Sequence, residues 1–170
     1  MPETEEEIQA LVERHMQKGY RGMKLGWGAL GPELRERPAA GQVGPAKRWG
    51  NDKYLMIDVG MMWKDVKGAI KTAKAMEEYG VYWIEEPFSP DDLDAYRRLA
   101  DSTHIHIAGR RGGGHRLRVP GASGQRCVDI LQPDLSRCGG ITVARKLTDL
   151  CDMRRVQVIP HAFKTHLLMS

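Results

Sequence analysis

The feature that most restricts what this chain can fold into is a rhythm. Short apolar runs at 20–26, 54–59, 81–85, 104–108, 128–132 and 156–159 read as β-strands, and Pro160 closes the last of them. Between them lie patterns of helical period, such as 66–76 and 141–150. Strands that alternate with helices of this length pair in parallel through right-handed crossovers, which makes the class α/β.

The strand ends separate a barrel from an open sheet. Asp58, Glu85, Arg111, Asp134 and His161 follow one another at intervals of 27, 26, 23 and 27 residues, so one ionisable group closes each βα unit. In a barrel those positions converge on the mouth at the C-terminal ends of the strands. A doubly wound sheet would spread them along an edge and carry a Gly-rich phosphate turn after its first strand, and no GxGxxG stands there. A complete barrel of this type needs about 250 residues. The 170 residues present therefore predict a partial TIM-type (β/α) barrel of about six of the eight strands, as one domain over 1–170. An amphipathic helix leads in: Thr4 and Glu7 form a capping box, Ile8, Leu11, Val12 and Met16 recur at helical spacing, and Gly19 ends it.

Composition narrows the setting. The net charge of +4 comes largely from 35–48 and 110–126, where the basic residues follow no periodic face and alternate with no aromatics, so no nucleic-acid partner is expected. No apolar run approaches the ~18 residues of a membrane span. The N-terminus is acidic where a leader peptide would be basic, and three cysteines form no CxxC pair. The expectation is a cytoplasmic protein with no membrane partner.

Carboxylates at the ends of adjacent strands suit a hard, oxygen-seeking cation such as Mg²⁺. Asp58, in Leu55-Met56-Ile57-Asp58-Val59-Gly60, and Glu85, in Trp83-Ile84-Glu85-Glu86-Pro87, are the candidate ligands. Either one alone reads as an ordinary solvated acid. Glu86 reads as a structural neighbour, and Trp27 as a residue that lines the mouth or packs.

Together with Pro133-Asp134, Gly139-Gly140-Ile141 and Ile159-Pro160-His161-Ala162-Phe163-Lys164-Thr165, these residues resemble the barrel domain of the enolase superfamily, in its mandelate racemase-like group of sugar-acid dehydratases and racemases. The resemblance covers nearly the whole chain. It implies that Asp58 and Glu85 are two metal ligands, that His161 is an acid/base oriented by Asp134, and that Lys24, ending the strand Met23-Lys24-Leu25, is the base on the opposite side. The family often has Lys-x-Lys there, and Gly22 takes the first position here. The implied chemistry is Mg²⁺-assisted removal of the proton α to the carboxylate of an aldonate-type sugar acid, then loss of the β-hydroxyl as water. Racemisation or epimerisation of a 2-hydroxy acid is the near alternative, because bases on opposite faces can swap a proton without elimination.

The sequence departs from that pattern in places. The implied third metal ligand is a Glu after Ala-Gly-Gly, and the chain reads Ala108-Gly109-Arg110-Arg111-Gly112-Gly113. An arginine there repels a cation, so the site is expected to be impaired and the chain to be a non-catalytic remnant as a further alternative. The helix expected over 115–126 is replaced by a run with Pro120 and Gly121, and 36–50 also lacks its helix. Compensating frameshifts are a hypothesis for 110–126: CGG CGA GGA GGN read one base later gives Gly-Glu-Glu, with the acid at 111. A clean in-frame DNA read from an independent isolate would dismiss a sequencing error. No capping domain is visible in the sequence, and an open barrel of six strands would expose unpaired edges, which predicts a homo-oligomer.

Overall fold

The computed structural model describes residues 5–26, 53–109 and 127–162. The stretches 36–50 and 110–126, and with them Trp27, Arg110 and Arg111, lie outside these residues, as does Thr4 of the expected capping box.

Six strands pair in parallel and in sequence order: β1 (Gly22–Gly26), β2 (Tyr54–Asp58), β3 (Val81–Glu85), β4 (His106–Gly109), β5 (Ile130–Leu131) and β6 (Gln157–Val158). Four helices accompany them among the described residues: α1 (Glu5–Gln17), α2 (Val66–Glu77), α3 (Leu93–Ala100) and α4 (Ile141–Asp152). Every described residue fits a barrel segment, and none of them builds a capping domain.

The sheet curls. Tyr82 on β3 donates its hydroxyl proton to the side-chain oxygen of Gln157 on β6, at 3.3 Å, although β4 and β5 lie between those strands. A flat sheet, with neighbouring strands about 4.8 Å apart, could not bring them into contact. On the concave side Trp83, Ala108 and Ile130 are buried together, with Met56, Tyr82 and Ile159 against them.

The convex face carries the larger core. Leu55, Ile57 and Val59 meet Ala69, Ala73 and Met76 of α2, while Ile105 and Ile107 share the cluster with Ala95, Tyr96 and Leu99 of α3. The period of two along β2 and of 3.6 along the helices puts these side chains on facing surfaces. Each large aliphatic side chain buried this way contributes roughly 1.5–3 kcal/mol. α2 starts where Asp65 accepts hydrogen bonds from the Lys67 and Gly68 amides, and α3 where Asp92 accepts one from the Ala95 amide.

Element ends differ from the sequence reading for local reasons. The Tyr20 amide bonds back to the His15 carbonyl, so Tyr20 belongs to the end of α1 and the first strand begins at Gly22. Gly19 ends that helix as expected, at φ +81°. His104 gives its amide to Glu77 instead of to a ladder, and β4 starts at His106. Lys24 does not end its strand. It lies in the middle of β1, with Leu25 and Gly26 still paired beyond it.

Candidate active site at the barrel mouth

The register of β1, β2 and β3 builds one side of the mouth. Gly26 pairs with Asp58, and Asp58 pairs with Glu85, so both carboxylates stand at one level. Lys24 pairs with Met56, one pleat deeper, and its stem climbs to that level. Gly26 makes the approach possible: a Cβ on it would sit 2.4 Å from the Asp58 carbonyl oxygen.

Lys24 Nζ donates to both oxygens of Glu85, at 2.9 and 2.8 Å, and lies 3.6 Å from Asp58 Oδ2. Glu85 is 2% exposed, so its charge needs this compensation. Two further donors converge on Glu85 Oε2, the Trp83 indole at 3.3 Å and the Gln132 amide at 3.1 Å. The other side of that amide, Gln132 Oε1, is buried and finds no hydrogen-bond partner among the described residues. Asp58 Oδ1 accepts the Gly60 amide at 3.1 Å, which fixes the carboxylate in the turn after β2. That turn and the next hold left-handed backbone at Gly60, Met61 and Glu86, and the Met61 amide bonds the Glu86 carbonyl between them. Glu86 itself is buried beside the mouth.

The second side follows β5 and β6. Asp134 and His161 form an isolated parallel bridge, and His161 Nδ1 lies 3.0 Å from Asp134 Oδ2. Asp134 is fully buried and its other oxygen accepts the Ser136 amide and hydroxyl. Burial pushes the Asp134 carboxyl up, but the Ser136 hydroxyl, the His161 ring and the Ser136 amide outweigh it and hold the group below its ordinary value. An ionised Asp134 only accepts, so Nδ1 of His161 is the donor in this pair. Arg137 Nε stands 3.6 Å from Asp134 Oδ2. The chain then turns into α4 through Gly139 and Gly140, at φ +106° and +85°.

The structure thus gathers Lys24, Asp58 and Glu85 into one cluster, and Asp134 with His161 into another, bridged by Gln132 immediately before Pro133. Sequence reasoning missed Trp83, Gln132 and Ser136 as members. The signal was there: Trp83 and Glu85 share a strand face by the period of two, and a serine two residues after a buried aspartate is an Asx-turn position.

No group of three or more His, Cys, Asp or Glu side chains is gathered as a metal site among the described residues. The pair Asp58 and Glu85 nevertheless fits Mg²⁺. Both are hard oxygen donors already turned onto a single cation, and Mg²⁺ is commonly held by one or two carboxylates with water and substrate filling the remaining positions. Cys127, Cys138 and Cys151 are buried and form no disulfide among the described residues. No helix among the described residues is long and apolar enough to cross a membrane.

Known proteins match this chain in sequence and in fold. The family model for enolase C-terminal domain-like proteins matches residues 7–170. A D-galactarolactone cycloisomerase from Agrobacterium fabrum is 36% identical over 116 residues, which is 68% of this chain and 30% of the relative. The crystal structure of a 3,6-anhydro-D-galactonate cycloisomerase from Zobellia galactanivorans superposes with a TM-score of 0.82 at 31% identity, covering 97% of this chain and 46% of the other. An L-talarate/galactarate dehydratase variant, liganded with Mg and L-glucarate, superposes with a TM-score of 0.80 at 28% identity, over all of this chain and 42% of the other. The chain therefore spans less than half the length of each of these proteins.

Proposed function

This chain belongs to the enolase C-terminal domain-like family, and from that premise we propose that its mouth is built for abstraction of the proton α to the carboxylate of a sugar acid, in the manner of a dehydratase. The observation that carries the reading is the division of the mouth into an acidic pair with its cation, Asp58, Glu85 and Lys24, and a histidine–aspartate dyad, His161 and Asp134.

In this reading Asp58 and Glu85 hold Mg²⁺. When bound, the ion would supply the positive charge that offsets the negative charge developing on the substrate carboxylate. Lys24 removes or returns a proton from one face and His161 acts from the other. Asp134 keeps the imidazole in the tautomer with Nδ1 protonated, so Nε2 is the nitrogen assigned to proton transfer. With the β-hydroxyl of an aldonate-type acid nearby, His161 that has taken up the α-proton at Nε2 gives it to that hydroxyl, whose bond to carbon breaks as it leaves as water. The similarity to a dehydratase liganded with Mg and L-glucarate, to a D-galactarolactone cycloisomerase and to a 3,6-anhydro-D-galactonate cycloisomerase supports a sugar acid as the substrate class.

Exchange of the α-proton separates the alternatives. The protein is incubated in D₂O with Mg²⁺ and a panel of aldonates and aldarates, followed by proton NMR. A 2-keto-3-deoxy product carrying deuterium at C3, where the enol left by loss of water takes up a solvent deuteron, supports dehydration. Deuterium with inversion and no elimination supports a racemase or epimerase. Neither exchange nor product across the panel overturns the catalytic reading and leaves a non-catalytic remnant, the outcome that Arg111 in the sequence favours.

A further inference from the structure

Two carboxylates at one level on hydrogen-bonded strands repel each other and need a positive charge between them. Lys24 supplies it, at 2.8 and 2.9 Å from Glu85 and 3.6 Å from Asp58. In this position the Lys24 side chain is engaged as a counter-ion and is not directed at a substrate. We infer that the Lys24 ammonium and a divalent cation take the acidic pair in turn: the ion enters only by displacing Lys24, and Lys24 returns when the ion leaves.

The inference rests on the reading of Asp58 and Glu85 as Mg²⁺ ligands and adds to it a second task for Lys24. Three observations support it. The ammonium already touches the oxygens that the ion would need, and two cations cannot share them without strong repulsion. Exposure decides which group moves: the Lys24 side chain is 39% exposed, whereas that of Glu85 is 2% exposed and that of Asp58 14%. A lysine stem swings into water at little cost, while a buried carboxylate would lose its partners. Glu85 is also pinned through Oε2 by Trp83 and Gln132, which stay in place during the exchange. The consequence is an order of events, with the lysine freed to act on substrate only once the ion is seated.

The test is a Mg²⁺ titration of the whole chain by calorimetry, with indole fluorescence as a second signal because Trp83 bonds the exchanging carboxylate. Lys24→Met and Lys24→Gln remove the competing charge and are expected to bind Mg²⁺ about tenfold more tightly than the unaltered chain. Asp58→Asn is expected to abolish binding in either background. A measurement on the unaltered chain guards against misfolded variants. Amine labelling of Lys24, read by peptide mass spectrometry, should rise several-fold at saturating Mg²⁺ while that of Lys67 and Lys74 on α2 stays constant. If the unaltered chain binds Mg²⁺ but the Lys24 variants bind no more tightly, or labelling of Lys24 does not change, the exchange is overturned and the ligand assignment stands. If neither the unaltered chain nor the variants bind, both fall together.

Discussion

The two sides of the mouth solve the same problem, a carboxylate removed from water, in opposite ways. Asp134 is compensated chiefly by fixed donors at hydrogen-bond distance, the Ser136 amide and hydroxyl two residues on and a histidine locked in the next strand register, with the exposed Arg137 guanidinium farther off at 3.6 Å. Glu85 is compensated chiefly by a lysine that reaches over β2 from β1 and is itself partly in water. A charge met by short-range, rigid partners is held for one role. A charge met by a flexible, exposed cation can change partners. That difference supports the proposed division, in which the Lys24 side receives a metal ion and the Asp134 side orients a histidine.

The comparison breaks most visibly at Glu85. Replacing it with Ala leaves Lys24, the Trp83 indole and the Gln132 amide without their acceptor, and should cost about 3 kcal/mol in a denaturant melt. A cost near zero would show that the cluster is solvated and needs no compensating charge.

Asp134→Asn tests the rigid side, with an expected loss of about 2 kcal/mol at neutral pH. Its folded carboxyl lies below its unfolded value of about 3.8, so the stabilisation is present above that value and lost as the pH falls through the folded one. The variant should therefore lose less stability than the parent over that acid range, and an identical acid limb in both would remove Asp134 from the argument for a fixed ion partner. Mg²⁺ binding should be unchanged in this variant if the two sides are independent.

A smaller effect is expected from Gly26→Ala. The added Cβ falls 2.4 Å from the Asp58 carbonyl oxygen, so β1 must shift, at about 1–2 kcal/mol, and the Lys24 to Asp58 contact should loosen with it. Stability and Mg²⁺ affinity should change together here.

Thr103→Ala provides the contrast far from the mouth. Thr103 donates to Glu77 Oε1 at 2.6 Å, and the His104 amide donates to the same oxygen, tying α2 to the approach of β4. The loss should be about 1 kcal/mol of stability, with Mg²⁺ affinity untouched. A shift in affinity would mean that the lower part of the sheet controls the mouth, against the division drawn above.

Much of this was legible in the sequence, and residue by residue the reasons differ. Asp58 and Glu85 were visible because each ends an apolar run, and Asp134 and His161 because the same interval separates them. The local reach of a hydrogen bond was not visible: the Thr103 and His104 donors to Glu77 shorten a strand that hydrophobicity alone extends. The third-ligand position, Arg111, lies outside the described residues, so the structure leaves that departure from the family pattern where the sequence put it.

The alternation of strands and helices, and the side to which each strand end points, follow from periods of two and 3.6 that any reader can count along the chain. These determined the α/β class, the parallel order and the ionisable strand ends Asp58, Glu85, Asp134 and His161. Which charges meet was decided only by tertiary structure. Lys24 and Glu85 are 61 residues apart, and their contact depends on strand register and sheet curvature. Nothing local to either residue encodes these, because register is set by the packing of whole faces against the helices. Gln132 shows the same limit: its place in an apolar strand is legible, while its bond to Glu85 exists only once β3 and β5 curl around a common interior.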